Sequence, residues 1–324
     1  MPILLPAWPR LRSLVATGLA LLAATAFVRA DEVTPIEVAP IEVAPGVFAF
    51  IADTGEVAPA NRGRVGNSGF IVGATGIAVI DTGVSFHHGA DLLAAIRSVS
   101  DLPVTTVIIT HAVQEFLFGN AAFEPTGARF IAHRRSIELM RQRCDHCLQN
   151  LRLILGDAAM AGTRLLIPGD AMDSDSERID IGGRELDLLQ PGWASTPGDL
   201  LVLDPATGTL FAGGVVSIGR IPELRDGNLA GWMRALEELP ATGARLVVPG
   251  HGPPVDIGRS RLTLDYLQAL DRRMRDLYEA GTSLMDAIEA SGVPAFAGWA
   301  GYATIHRRNA LERYLQLELD DLGR

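Results

Sequence analysis

Residues 104–123, VTTVIITHAVQEFLFGNAAF, constrain the fold more tightly than any other stretch of the chain. Positions 104–109 are β-branched throughout and too few for a buried helix, so they read as a strand covered on both faces. Such a strand needs one packed layer above it and another below. Thr110 and His111 follow at its C-terminal edge, where open α/β sheets place their chemistry. The residues after them turn helical.

The rest of the chain supplies those layers. Residues 46–51 and 69–72 read as strands separated by a polar loop, 53–66. Residues 76–80 run into Asp81-Thr82-Gly83 and then into a helix over 89–99. A short strand at 129–132 leads to a long helix, 134–155, that ends at Gly156. His133 opens that helix and reads as structural rather than as a ligand. Segments 178–181, 185–190, 200–204 and 209–212 alternate with turn signals such as Gly182-Gly183, which predicts a second, antiparallel sheet. A helix at 229–239 and a strand at 245–248 lead into Pro249-Gly250-His251-Gly252-Pro253. Helical spacing then dominates over 261–279, 283–289 and 304–319. The expected class is α/β (α+β), a four-layer αββα sandwich over 46–257 with a C-terminal helical extension at 258–324.

The run Thr110-His111-Ala112-Val113-Gln114-Glu115-Phe116-Leu117-Phe118-Gly119-Asn120 resembles the metal loop of metallo-β-lactamase-fold hydrolases. That loop is Thr-His-x-His-x-Asp-His followed by an apolar pair and Gly-Asn. The strand, Asp-Thr-Gly and helix order around Asp81 is similar to the same family's first half. The tail pieces at 294–299, 306–309 and 314–318 resemble one subfamily, the quinoprotein relay system zinc metallohydrolases.

The resemblance implies a specific ligand set. Zinc takes roughly four nitrogen, oxygen or sulfur ligands at about 2 Å, and a catalytic zinc lowers the pKa of its bound water to about 7. In this chain valine stands at 113 and phenylalanine at 116 where the family loop has histidines, and Glu115 replaces its aspartate. Ser195 replaces the histidine of a later turn, 194–199, and Gly214 the bridging aspartate. His111 and His251 alone keep the family residue among these seven positions. No cofactor is therefore expected; zinc held by His111, Glu115 and His251 is the alternative. Asp81 inherits a role orienting the loop from beneath, or is a turn residue satisfying nearby amides. His111 and His251 read as pocket residues bonded to each other or to Asp81, Ser195 or Asp199. Glu115 and Ser195 are the catalytic candidates, Ser195 with His251 and Glu115 having the residue types of a triad but no sharpened nucleophile turn. Arg220 meets an anionic ligand or a partner's carboxylate, or forms a surface ion pair with Glu223 or Asp226.

Residues 1–30 carry Arg10 and Arg12, an apolar run over 14–27 and a small-residue end at Val28-Arg29-Ala30, the layout of a signal peptide. Export to a periplasm or beyond is expected, with no stable membrane span after cleavage, because the run is shorter than the ~20 residues a span needs. Residues 31–45 contain PIEVAPIEVAP, an extended lead-in that cannot bury itself, with folding expected after it. Cleavage removes three arginines and no acid, taking the net charge from −10 to −13. That argues against nucleic acid as a partner and for a basic protein or small molecule. All 28 cationic side chains are arginine, which excludes lysine-based covalent chemistry. Cys144 and Cys147 read as a local disulfide, a redox couple, half a metal site, or two thiols without a job.

The leading expectation is an exported, non-catalytic binding or accessory factor linked by resemblance to quinoprotein alcohol oxidation. Its partner would be a small molecule or a periplasmic protein, such as a quinoprotein dehydrogenase or its cytochrome. The alternatives are a metal-dependent hydrolase with an altered site (His111, Glu115, His251) and a thiol redox protein working through Cys144 and Cys147.

Overall fold

The computed structural model describes residues 39–323. The signal peptide read at 1–30 and the first part of the lead-in lie outside the described residues.

Seven strands form the first sheet in sequence order: β1 (Ile41–Ala44), β2 (Val47–Phe50), β3 (Ser68–Val72), β4 (Ile77–Ile80), β5 (Val104–Ile109), β6 (Arg129–His133) and β7 (Asp170–Met172). The pairings from β1 to β4 are antiparallel and those from β4 to β7 parallel. The second sheet runs β8 (Ser176–Asp180), β9 (Glu185–Leu189), β10 (Leu201–Asp204), β11 (Thr209–Ser217), β12 (Leu246–His251) and β13 (Val255–Asp256). It is mixed rather than wholly antiparallel, because β12 pairs parallel to β11 after a helical crossover.

The helices are α1 (Phe86–Val99), α2 (Gln114–Leu117), α3 (Asn120–Phe123), α4 (Arg134–Leu155), α5 (Leu229–Glu238), α6 (Arg261–Glu279), α7 (Leu284–Glu289) and α8 (Ile305–Leu322). Three apolar clusters show how they are layered. Ile108 of β5 and Ile80 of β4 face Val202, Phe211 and Val248 of the second sheet. Their neighbours Val107, Ile109 and Val79 turn the other way, toward Leu92 and Ile96 of α1 and Met140 of α4. Leu201, Leu210 and Val247 of the second sheet pack outward against Trp232 of α5 and Leu267 and Leu270 of α6. Alternate residues of the central strands thus enter different cores, which is the αββα sandwich expected from two-sided burial.

Folding begins earlier than the repeat suggests. Ile41–Ala44 pairs with β2 as an edge strand; Ile41 and Glu42 stay exposed while Val43 and Ala44 pack half-buried against the core between the sheets, so backbone pairing and partial burial together recruit it. The expected C-terminal helices are present and share a core with the sandwich. Tyr266, Leu267, Ile305 and Tyr314 are buried in the same cluster as Trp232. Asn309 of α8 accepts a hydrogen bond from Leu224 N and donates to Pro222 O and the Tyr266 hydroxyl, so the tail holds the loop that carries Arg220.

Asn67 joins the two sheets where β5 and β12 end. Its side chain donates to Pro249 O (2.8 Å) and Gly252 O (2.7 Å) and accepts from Ala52 N (2.9 Å), all with Asn67 buried. Removing the amide orphans three backbone groups, each costing about 1–3 kcal/mol when left dry. Asn67→Ala is expected to lower stability by on the order of 2–3 kcal/mol after water re-entry, read as a lowered denaturant midpoint at unchanged m-value.

Candidate functional site

The loops that follow β5, β11 and β12 converge at one edge of the sandwich. The short segment before β10 closes that edge, with Leu200 N donating to Thr110 O at 2.7 Å. Asp81 sits beneath, in a left-handed backbone conformation (φ 56°) that few non-glycine residues adopt. That geometry turns its carboxylate back onto the end of β5, where it accepts from Thr110 N (2.8 Å) and Thr110 Oγ1 (2.7 Å). Burial pushes Asp81 up to about 7 despite both hydrogen bonds.

This clamp assigns the tautomer of His111. With Asp81 ionised, the Thr110 hydroxyl proton points at Asp81, so Thr110 Oγ1 accepts from His111 Nδ1–H at 2.8 Å. His111 Nε2 is left as a bare lone pair on the pocket side. His251 reaches the same state by another route: its Nδ1 donates to Val65 O at 2.7 Å, leaving Nε2 free. Burial lowers His111 to about 3 and His251 well below its ordinary value, so both imidazoles are neutral. Neither is bonded to the partners the sequence suggests.

Glu115 enters from α2 and is buried, its Oε1 lying 4.0 Å from both His251 Nε2 and an Arg220 Nη atom. Burial raises the Glu115 pKa and the Arg220 guanidinium opposes that. Arg220 is itself 5% exposed and donates to the carbonyls of Gly55 and Thr54. It is not in a surface ion pair with Glu223 or Asp226; those acids pair with Arg308 and with Arg143 and Arg225. Ser195 donates to Asp199 Oδ1 at 2.7 Å, and Thr196 supplies Asp199 with two further hydrogen bonds. Burial lifts Asp199 to about 6. No histidine is hydrogen-bonded to Ser195 among the described residues, so the serine lacks the general base that a nucleophile needs.

Phe116 decides what the pocket can hold. Its ring packs against both imidazoles, 4.3 Å from the His111 centroid and 5.5 Å from that of His251. Gly66 makes room for it, since a Cβ there would stand 2.8 Å from the ring edge. On the opposite side a Cβ on Gly214 would point into the cavity 3.0 Å from His111 Nε2. The space left is about 50 Å³, room for a few waters at about 10–15 Å³ each. A groove of about 420 Å³ adjoins it, lined by Val57, Ile154, Leu311, Arg225 and Arg308, and shares Glu115 and Arg220 with it.

The donor set does not fit a zinc ion. His111 and His251 offer two lone pairs and Glu115 a carboxylate, but the remaining positions present a valine, a phenyl ring, a glycine and a serine already bonded to Asp199. Among the described residues no group of three or more His, Cys, Asp or Glu side chains comes together as a metal cluster. Asp81 and Asp199 lie behind the pocket wall. His133 caps α4, its Nδ1 accepting from Arg135 N. Cys144 and Cys147 are free thiols on α4, not a disulfide. Sequence reasoning missed Thr110 as the link between Asp81 and His111, Asn67 as the staple beside His251, and Gly66 as the seat of Phe116. The glycine preceding Asn67 and a hydroxyl preceding His111 were the available signals.

A family model described as "Metallo-beta-lactamase superfamily" matches residues 61–112 and so ends one residue past His111. No curated protein matches. Among solved structures, a metallo-beta-lactamase from Pontibacter korlensis is 22% identical, aligned over 71% of this chain and 99% of its own at TM-score 0.58. Those from Hirschia baltica (19%, 72% and 98%, 0.57) and Erythrobacter litoralis (22%, 72% and 97%, 0.56) are comparable. The chain therefore has the metallo-β-lactamase fold, with helices added at its C-terminal end.

The raised Asp81 pKa gives a signed expectation. A carboxyl whose folded value (about 7) exceeds its ordinary value (3.8) stabilises the fold at low pH and loses that contribution as pH rises between the two. Asn tolerates the left-handed backbone and carries no charge. The stability of Asp81→Asn relative to the parent chain should therefore be higher at pH 8 than at pH 4, by up to about 1.4 kcal/mol per unit of that window. Thermal melts across this range check it; a relative stability that is flat or falls with pH contradicts the assignment.

Proposed function

We propose that this chain is an exported binding or accessory protein that retains the metallo-β-lactamase fold without its metal chemistry. The observation that carries the reading is the Phe116 ring packed against both His111 and His251. A divalent ion there loses hydration without enough donors to replace it, and the cavity of about 50 Å³ is far below the roughly 300 Å³ at which small-molecule sites begin. The adjoining groove of about 420 Å³ has that size. It combines apolar walls with Arg225 and Arg308, and Glu115 and Arg220 lie at its inner end. A ligand with an apolar body and a polar head suits it.

Export rests on the leader-like residues 1–30, and among the described residues no helix is long and apolar enough to cross a membrane. The tail's resemblance to the quinoprotein relay subfamily gives the setting: alcohol oxidation in a periplasm, with a quinoprotein dehydrogenase or its cytochrome as partner. The net charge of −10 favours a basic face on that partner.

One observation favours a second reading. Both imidazoles present Nε2 lone pairs to the pocket, as zinc-bound histidines would, and Glu115 is 4.0 Å from one of them. A hydrolase with one metal on His111, Glu115 and His251 would use that arrangement.

Metal analysis and turnover separate the two. After zinc loading and gel filtration, the chain is expected to retain substoichiometric zinc and to leave ester, thioester and lactam substrates intact. Stoichiometric zinc, with turnover that chelator and His251→Ala both abolish, would establish the second reading and end the first.

A further inference from the structure

Cys144 and Cys147 lie outside the pocket and have no part in the reading above. They occupy positions i and i+3 in the middle of α4, about ten residues from its start at Arg134, so the helix continues on both sides. Cys144 is buried and Cys147 half-buried.

Geometry discriminates among the fates of such a pair. Residues three apart on a helix have Cβ atoms about 5–6 Å apart, whereas a disulfide needs about 3.5–4.5 Å. Closing the bond would require this turn to unwind in a helix whose Leu139, Met140 and Leu151 are held in the core. Two thiolates joined through a metal ion, with bonds of about 2.3 Å, stand about 4.6 Å apart when the ion is collinear with them. Side chains whose Cβ atoms are about 5–6 Å apart can bring their sulfurs to that separation by rotation about χ1.

We propose that Cys144 and Cys147 form a two-thiolate site for a single soft cation of filled d shell, such as copper(I), held across one turn of α4. Thiolate ligands select ions of this class over harder divalent ones. Binding exchanges two S–H protons, released to solvent, for one monovalent cation, and no atom changes oxidation state. The product carries one negative charge. The positive charge of Arg225 favours a thiolate at Cys147. The loop bearing Arg225 is fixed against this face of α4 by the Arg143–Asp226 ion pair. Cys147, the more accessible thiol, gives the ion its way in.

The test uses the full chain, reduced with a phosphine and kept under nitrogen, and titrated with copper(I) bicinchoninate. One copper per chain should leave the chromophoric competitor, with thiolate-to-copper absorption growing in the ultraviolet. Cys144→Ser and Cys147→Ser should each lose that uptake. Cys147→Ser, altering the half-buried position, should keep the parent's circular dichroism, so its loss reports a ligand and not unfolding. Four results would overturn the proposal: the competitor retains the copper; uptake survives in either variant; one ion requires two chains; or the dithiol closes to a disulfide in air and then refuses copper.

Discussion

The hydrogen bonds from Thr110 to the Asp81 carboxylate are the constraint on which the rest of the pocket depends. A left-handed residue at the end of β4 aims the carboxylate at the end of β5, and the backbone N–H and hydroxyl of one threonine satisfy it. Once that hydroxyl proton is committed, the orientation and tautomer of His111 follow. His111 then fixes the wall against which Phe116 stacks. Each step is local, yet together they determine a cavity bounded by both sheets. The buried carboxylate and the neutral imidazoles are tolerated because their hydrogen-bonding atoms on the protein side are matched.

The same logic holds for the other polar residues in and around the pocket. Ser195 and Asp199 bond to one another and to Thr196; His251 bonds to Val65 O; Arg220 bonds to the carbonyls of Gly55 and Thr54. None of these pairings calls on a cation. The pocket is a set of self-satisfied groups around a phenyl ring, and its residual polarity is directed toward the groove outside.

Much of the fold was legible in the sequence. The β-branched run of β5, the Asp81-Thr82-Gly83 turn and the apolar spacing of α4 and α6 each report a local requirement, and two-sided burial of β5 implies the layers around it. The departures have identifiable causes. The edge strand Ile41–Ala44 is held by backbone pairing and by only two half-buried side chains, too few to leave a periodic trace. The parallel pairing of β12 depends on a crossover, and no strand announces its neighbour. At the site, residue identities named the participants but not their bonds. That Arg220 turns inward to Gly55 O, or that Asn67 reaches across to Pro249 and Gly252, depends on contacts between residues far apart in the chain.

Phe116 and Gly66 carry a consequence for which substitutions the pocket can accept. The ring lies against the backbone at Gly66, where any side chain would collide with it. Exchanging the ring for an imidazole leaves unfilled space over that glycine, and voids of this kind cost roughly 24 cal/mol per Å³, while Val113 and Gly214 still contribute no donor. A smaller ring at 116 therefore loses packing over Gly66, and a larger side chain at 66 displaces the ring, so the two positions can change only together.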